Sequence, residues 1–506
     1  MIARNVFSNW GGLAITGFVS FLLTPVLIHG LGEFHYGMWI LVAALMDYRG
    51  LLDLGLSSAL QRFVARRHGG DERRALNETL ASALALMCGV ALLAFVLTLG
   101  LSLVLPRFFG LDGATRDLFA KLFLLMGTSI AVSFPTRMLG AYLGGLQRFD
   151  LYNLGAVVIS LLRAGALVSV IHMGYGVLGV GGVTLGVSLL NLVLNWVMIR
   201  RADPAAVLDF RLAKWRRVRE LMQFGFYVFV TAVGDHFRFN LDSIVIARWI
   251  TIAAVTPFSV AVSLVGYFRS LVMAVSGPLM PAFSSLDGAS KDAAVKDLLL
   301  RSTRITSLLS LLIGGLLLVH GRSVFALWLG PRFVESSYPV LVALVAGSIV
   351  AMAQTPSLSL IYARGRHRTL AGWTLLEGLA NLVLSVYWST KLGILGVALG
   401  TAVPMIAFKL ILQPWYALRV AGLGARAYLA GAVVRPLLVG IIFLSVCFST
   451  TVAPLLQPLQ LVWTLTWQTG FFFLLAMGLG FSRQERQQLG EALRNRGTGQ
   501  KLTGLA

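Results

Sequence analysis

The chain has 506 residues, 57% of them hydrophobic and 12% charged, with a formal net charge of +21. Its mean hydropathy of +0.81 excludes a soluble globular enzyme and points to an all-α polytopic membrane protein. A single span takes about 20 apolar residues.

Segments of that kind fall in chain order at 6–29, 37–60, 77–105, 118–142, 152–172, 176–199, 221–247, 255–283, 304–320, 338–362, 370–390, 393–418, 429–450 and 460–481, fourteen transmembrane helices joined by short loops. No soluble domain of useful size remains between them. The opening M-I-A-R-N-V-F-S-N-W runs into the first span without a small-residue cleavage site and reads as an uncleaved helix.

A basic excess of this size also fits nucleic-acid binding, so the placement of the charges decides. Arg62, Arg66, Arg67, Arg73 and Arg74 follow the second span; Arg200, Arg201, Arg211, Lys214, Arg216, Arg217 and Arg219 follow the sixth; Arg364, Arg366 and Arg368 follow the tenth. The even-numbered loops and the two termini hold 28 basic residues. The odd-numbered loops hold 7 (Arg107, Arg116, Lys121, Arg248, Arg322, Arg332 and Lys391). By the positive-inside rule both termini are expected in the cytoplasm. The basicity is then topological, its counterions are membrane lipid headgroups, and no nucleic-acid partner is expected.

Cys88 and Cys447 lie in apolar segments, where a thiol packs as a small hydrophobe. The seven histidines form no i, i+4 pair. Neither a disulfide framework, a metal site nor a bound cofactor is expected.

The halves repeat. G-V-L-G-V opens at Gly176 and G-I-L-G-V at Gly393, Tyr48 corresponds to Tyr267, and Pro135 corresponds to Pro356, at offsets of 217, 219 and 221. Six spans is an even number, so the repeats are parallel, which predicts two six-helix bundles around a central cavity. The expected organisation is an N-terminal bundle at 1–200, a basic cytoplasmic linker at 201–220, a C-terminal bundle at 221–420, two additional helices at 421–482 and a cytoplasmic tail at 483–506. Intramembrane prolines, Pro25, Pro135, Pro278, Pro281, Pro356 and Pro404 among them, suit helices that bend.

Charges inside the spans are costly, roughly 2.5–3.5 kcal/mol each at the centre of a lone helix. Among them are the acids Asp47, Asp53, Asp235, Asp242 and Glu377 and the bases Arg49, Arg137, Arg163, Arg238, Arg269 and Lys409. Thr231, Asp235, Arg238 and Asp242 share one helical stripe at i, i+4, i+7 and i+11, and Arg49 and Asp53 form an i, i+4 pair. For Arg137, Arg163 and Arg269 no partner lies within a helical turn. The bland reading of the paired groups is a set of ion pairs that fix the bundle. The functional reading is a cationic cavity for an anionic cargo bearing phosphate, since the guanidinium fork donates bidentate hydrogen bonds. The acids are then candidates for coupling to a proton or sodium gradient.

The stretches L-L-D-L-G-L-S-S-A-L-Q-R-F-V-A-R (51–66), G-L-Q-R-F-D-L-Y-N (145–153) and N-L-D-S-I-V-I-A (240–247) resemble the Wzx-type polysaccharide flippases of the multidrug/oligosaccharidyl-lipid/polysaccharide exporter superfamily. Asp53 and Gly55 match the family's D-x-G, and Asp242 matches its L-D. Thr256-Pro257 stands where the family carries a glycine. The resemblance implies two six-helix bundles around a central cavity and transport of undecaprenyl-pyrophosphate-linked oligosaccharide across a bacterial cytoplasmic membrane. It also implies work alongside a polymerase and other polysaccharide assembly proteins.

Two rivals stand beside it. A cation-coupled drug or metabolite antiporter of the same superfamily would favour acids and aromatics in its cavity, against the surplus of bases here. A membrane polymerase or ligase of lipid-linked glycans would need a sizeable external loop bearing acids, His or Arg, and the loops near 106–117 and 321–337 are short. No catalytic residue is expected.

Overall fold

The computed structural model describes residues 2–46, 56–67, 73–222, 241–451, 454–481 and 485–486, which hold helices and turns and no strand. Eleven helical segments among these are long and apolar enough to cross a membrane, and the chain is a multi-pass membrane protein. Fourteen were expected. The seventh of those, 221–247, falls mostly outside the described residues. Two others merge with a neighbour because single glycines turn the chain where loops were read.

The first merger is in α1 (Ile2–Met46), which leaves helical geometry only at Gly32, φ 77°. A glycine reaches that conformation without a Cβ penalty. The polar residues of the junction stay on the helix: the rings of His29 and His35 lie 2.8 and 3.1 Å from the carbonyls of Pro25 and Leu31. The next helices are α2 (Leu56–Arg67), α3 (Arg73–Phe108), α4 (Gly113–Gly145), α5 (Phe149–His172), α6 (Gly176–Ala202) and α7 (Asp242–Trp249). Then come α8 (Val255–Ser276), α9 (Leu279–Gly288), α10 (Asp292–Trp328), α11 (Arg332–Ala353), α12 (Thr355–Ala363) and α13 (His367–Ala407). The second merger is in α13, bent at Gly393 (φ 59°), so the 50-residue apolar segment Gly372–Ala421 carries both spans expected at 370–390 and 393–418. The chain ends in α14 (Gln413–Ala421), α15 (Ala425–Tyr428), α16 (Val434–Thr450) and α17 (Pro458–Leu475).

The repeat is visible in the turns. Positive φ recurs at Gly110 and Gly330 (67° and 99°), Gln147 and Gly365 (57° and 65°), and Gly176 and Gly393 (60° and 59°), at offsets of 220, 218 and 217. Corresponding loops reverse the chain with the same left-handed residue, whatever its side chain.

By its contacts the chain forms two compact units, Met1–Ser259 with Thr374–Val397, and Val260–Trp373 with Ala398–Ala506. In the first, α4 packs against α2, α3 and α6, while α1 lies along α5. Lipid is as apolar as leucine, so such helices associate by close approach at small residues. A Cβ on Gly127 would sit 2.2 Å from Thr98 of α3, and one on Gly145 would sit 2.5 Å from Val64 of α2. Leu92, Leu93, Val96, Leu103 and Val104 of α3 are left exposed, as a lipid-facing surface requires.

In the second unit α10 packs on α11 and receives the chain's last two apolar helices. Leu308 and Leu312 of α10 form one core with Val439, Phe443 and Cys447 of α16 and Phe472 of α17. Two polar ties fix that docking. His320 faces Gln468 at 2.7 Å, and the Arg304 guanidinium donates to the Gly431 carbonyl and pairs with Glu485.

Candidate functional site

A cavity of about 890 Å³ opens within the first unit, walled by α1, α2, α4, α5 and α6. Two of the expected bases reach it, Arg137 from α4 and Arg163 from α5. Arg137 is half-buried and makes no hydrogen bond or ion pair with any described residue. Arg163 and Arg269 each have an interaction partner. No carboxylate is found among the described residues lining the cavity.

The wall around the two bases carries polar groups that the hydropathy of its helices hides. Thr16, Ser20, Thr24, Ser57, Ser133, Thr136 and Ser160 bring hydroxyls, and Gln61, Asn191 and Asn195 bring amides. Thr24 donates to the Ser20 carbonyl at 2.9 Å, Ser133 to Ile130 at 2.7 Å and Thr136 to Val132 at 2.8 Å. A hydroxyl whose proton is spent on its own helix offers acceptor lone pairs to the cavity. Asn195 donates to the carbonyl and to the side-chain oxygen of Asn191, both at 2.8 Å. The wall therefore holds donors and acceptors side by side, the pattern a polyhydroxylated ligand needs.

Small residues and a proline shape the space. Pro135 lacks an N–H and breaks the α4 ladder beside Thr136 and Arg137. Gly140 leaves room for the Tyr152 ring, whose nearest carbon would be 3.0 Å from a Cβ there, and Gly144 does the same for Gln61. Tyr36 and Trp39 of α1 add an edge-to-face pair with centroids 5.5 Å apart.

The other expected site residues lie elsewhere or outside the described residues. Asp47, Arg49, Asp53, Asp235 and Arg238 are in the latter group. Asp242 is buried, 8% exposed, in the first turn of α7, and Glu377, 2% exposed, lies on the part of α13 that belongs to the first unit. Arg269, half-buried on α8, and Lys409 belong to the second unit. Lys409 sits in a π-helical turn, Phe408–Leu412, and donates to Gln413 at 2.9 Å; Gln413 donates to the Gln354 carbonyl, whose side chain accepts from Ser357 and Tyr428. Lys409 is thus part of a buried polar network, and the cavity of the first unit does not include it. No group of His, Cys, Asp and Glu able to hold a metal occurs among the described residues.

Reading the sequence for charge missed the hydroxyls and amides. The signal was present: Ser133, Thr136, Arg137, Gly140 and Gly144 fall on one face of α4 at helical spacing, as do Asn191 and Asn195 on α6.

The family described as polysaccharide biosynthesis protein matches residues 2–287. An uncharacterized membrane protein, EpsK, of Bacillus subtilis is 23% identical over 88% of this chain and 88% of its own length. A putative O-antigen transporter of Shigella flexneri is 23% identical over 82% of this chain and 97% of its own. Among solved structures, the lipid II flippase MurJ in an inward closed conformation superposes with a TM-score of 0.72 at 15% identity, covering 93% of this chain and 98% of that one. An inward-facing multidrug resistance MATE family transporter of the MOP superfamily does so with a TM-score of 0.70 at 15% identity, covering 81% and 98%. At such identities the likeness is one of fold.

Proposed function

From the premise that this chain belongs to the polysaccharide biosynthesis protein family, we propose that it is a flippase for a polysaccharide precursor. It moves undecaprenyl-pyrophosphate-linked oligosaccharide from the inner to the outer leaflet of a bacterial cytoplasmic membrane, with both termini in the cytoplasm. The observation that carries the reading is the cavity in which Arg137 and Arg163 stand among hydroxyls and amides. Guanidinium groups suit the pyrophosphate, and the surrounding acceptors and donors suit sugar hydroxyls. The relatives support it too, one being a putative O-antigen transporter and another, from Haloferax volcanii, a probable flippase.

Transport of this kind needs positioning and release and no bond-breaking residue. A cation-coupled drug antiporter is less well served, because a cationic drug would meet two arginines and no carboxylate among the described residues of the wall. The cycle proposed is alternating access between the two parallel repeats. Asp242 and Glu377, both buried, are the described candidates for coupling to a proton or sodium gradient, and Asp47, Asp53 and Asp235 are further candidates from the sequence.

The test is deletion of the gene in its own cell. The expected result is lipid-linked oligosaccharide retained in the inner leaflet and no surface polymer, with rescue by the wild type and not by Arg137→Ala, Arg163→Ala. Full surface polymer in the deletion strain would remove the proposal.

A further inference from the structure

The connector after α6, expected as a basic linker, is held by named side chains to the helices beside it. Asp203 is buried, accepts the Tyr142 hydroxyl at 2.8 Å and pairs with Arg73 at 3.3 Å. Asn77 of α3 donates to the Ala205 carbonyl at 3.2 Å and accepts from the Val207 N–H at 3.3 Å. Ser82 accepts from the Lys214 N–H at 2.8 Å. Glu78, 5% exposed, pairs with the Lys214 ammonium and lies 3.7 Å from Arg217, whose guanidinium also stands over the Phe63 ring. The connector is clamped across the start of α3 and the end of α4, both long and apolar enough to cross a membrane.

A clamped segment has a fixed outer face, and this one is apolar and basic together. Val207, Leu208, Phe210 and Trp215 point outward, Trp215 76% exposed and Phe210 56%. Arg211, Arg216 and Arg219 of the same stretch are also exposed. The side chains of Arg211 and Arg219 bond no described residue, while Arg216 lies 3.8 Å from Glu220. Water does not favour such aromatic groups, and a membrane boundary does: indole and phenyl rings settle at the headgroup level, and arginines beside them meet lipid phosphates.

We propose that residues 207–219 form a binding site for anionic phospholipid of the surrounding leaflet, with Leu208, Phe210 and Trp215 sunk to the headgroup–acyl boundary and Arg211, Arg216 and Arg219 on the phosphates. It holds whatever the cargo, since none of these residues lines the cavity. Each arginine at such a surface is worth about 1 kcal/mol, or roughly fivefold in lipid retention.

The test uses the full chain in nanodiscs of phosphatidylcholine with or without phosphatidylglycerol. A bimane label is attached at Trp215→Cys in a Cys88→Ser, Cys447→Ala background. The expected result is emission shifted to the blue, quenching by lipid brominated near the top of the acyl chain and protection from aqueous iodide, all stronger with phosphatidylglycerol. Native mass spectrometry of the unlabelled chain should retain phosphatidylglycerol over phosphatidylcholine, and Arg211→Gln, Arg219→Gln should lower that retention by roughly 25-fold with unchanged gel-filtration behaviour. Iodide quenching equal to that of free label, no preference for phosphatidylglycerol, or equal displacement by millimolar inorganic phosphate would each overturn the proposal.

Discussion

Arg137→Ala separates a cavity arginine from a structural one because the two roles predict opposite outcomes for stability. Arg137 is half-buried and bonds no described residue, so its removal strands no partner. A substitution of that kind falls within about 0.5 kcal/mol of neutral. The loss appears only when cargo is present. A hydrogen bond to a charged group contributes about 1.5–3 kcal/mol, which converts to roughly 10- to 150-fold in affinity for the pyrophosphate. Arg137→Lys keeps the charge and loses the fork, so it should fall between wild type and alanine. The assay pairs a thermal unfolding scan of the purified chain with a titration of undecaprenyl pyrophosphate. An alanine variant that unfolds several degrees early and still binds with wild-type affinity would refute the reasoning.

Three further outcomes are expected. Glu78→Gln takes from Lys214 and Arg217 the carboxylate they share and leaves Arg217 with Glu220, which should cost about 1–3 kcal/mol; Glu220→Gln, at a half-exposed pair, should cost at most about 1 kcal/mol, and equal unfolding temperatures would show the clasp to be inert. Gly127→Ala places a Cβ 2.2 Å from Thr98 and should destabilise by about 1–3 kcal/mol, whereas Gly165→Ala meets nothing within 4 Å and should be neutral or better; the reverse order in a melting series would contradict the packing. Single cysteines at Arg201 and Glu335, in a chain lacking Cys88 and Cys447, should differ toward an impermeant thiol reagent on intact cells, Glu335 reacting and Arg201 not; reaction at Arg201 alone would invert the topology.

Some of this molecule was legible because its signals are local or periodic. Long apolar runs such as Arg73–Phe108 announce spans by length alone, and the matched G-V-L-G-V and G-I-L-G-V mark the repeat whose turns share a positive φ at Gly176 and Gly393. The single-residue bend at Gly32 was not legible, since a glycine among polar neighbours reads as a loop. The clasp was hidden by distance: Glu78 meets Lys214 and Arg217, 136 and 139 positions away, and no pattern within a helical turn reveals it. The cavity wall was hidden by chemistry. Ser20, Thr136 and Asn195 bring too little polarity to interrupt an apolar segment, so attention goes to formal charge, and charge alone also selects Lys409, which the structure places in a buried network with Gln413 and Gln354.

The most direct measurement is flipping by the purified chain in proteoliposomes loaded with fluorescent undecaprenyl-pyrophosphate-linked oligosaccharide, read by the access of an external lectin to the glycan and by the mass of the recovered lipid. The account predicts that the glycan becomes accessible in minutes with its mass unchanged, that empty liposomes stay silent, and that Arg137→Ala, Arg163→Ala slows transfer at least tenfold while remaining folded. Transfer by the double variant at the wild-type rate, or a change in the mass of the glycan, would contradict it.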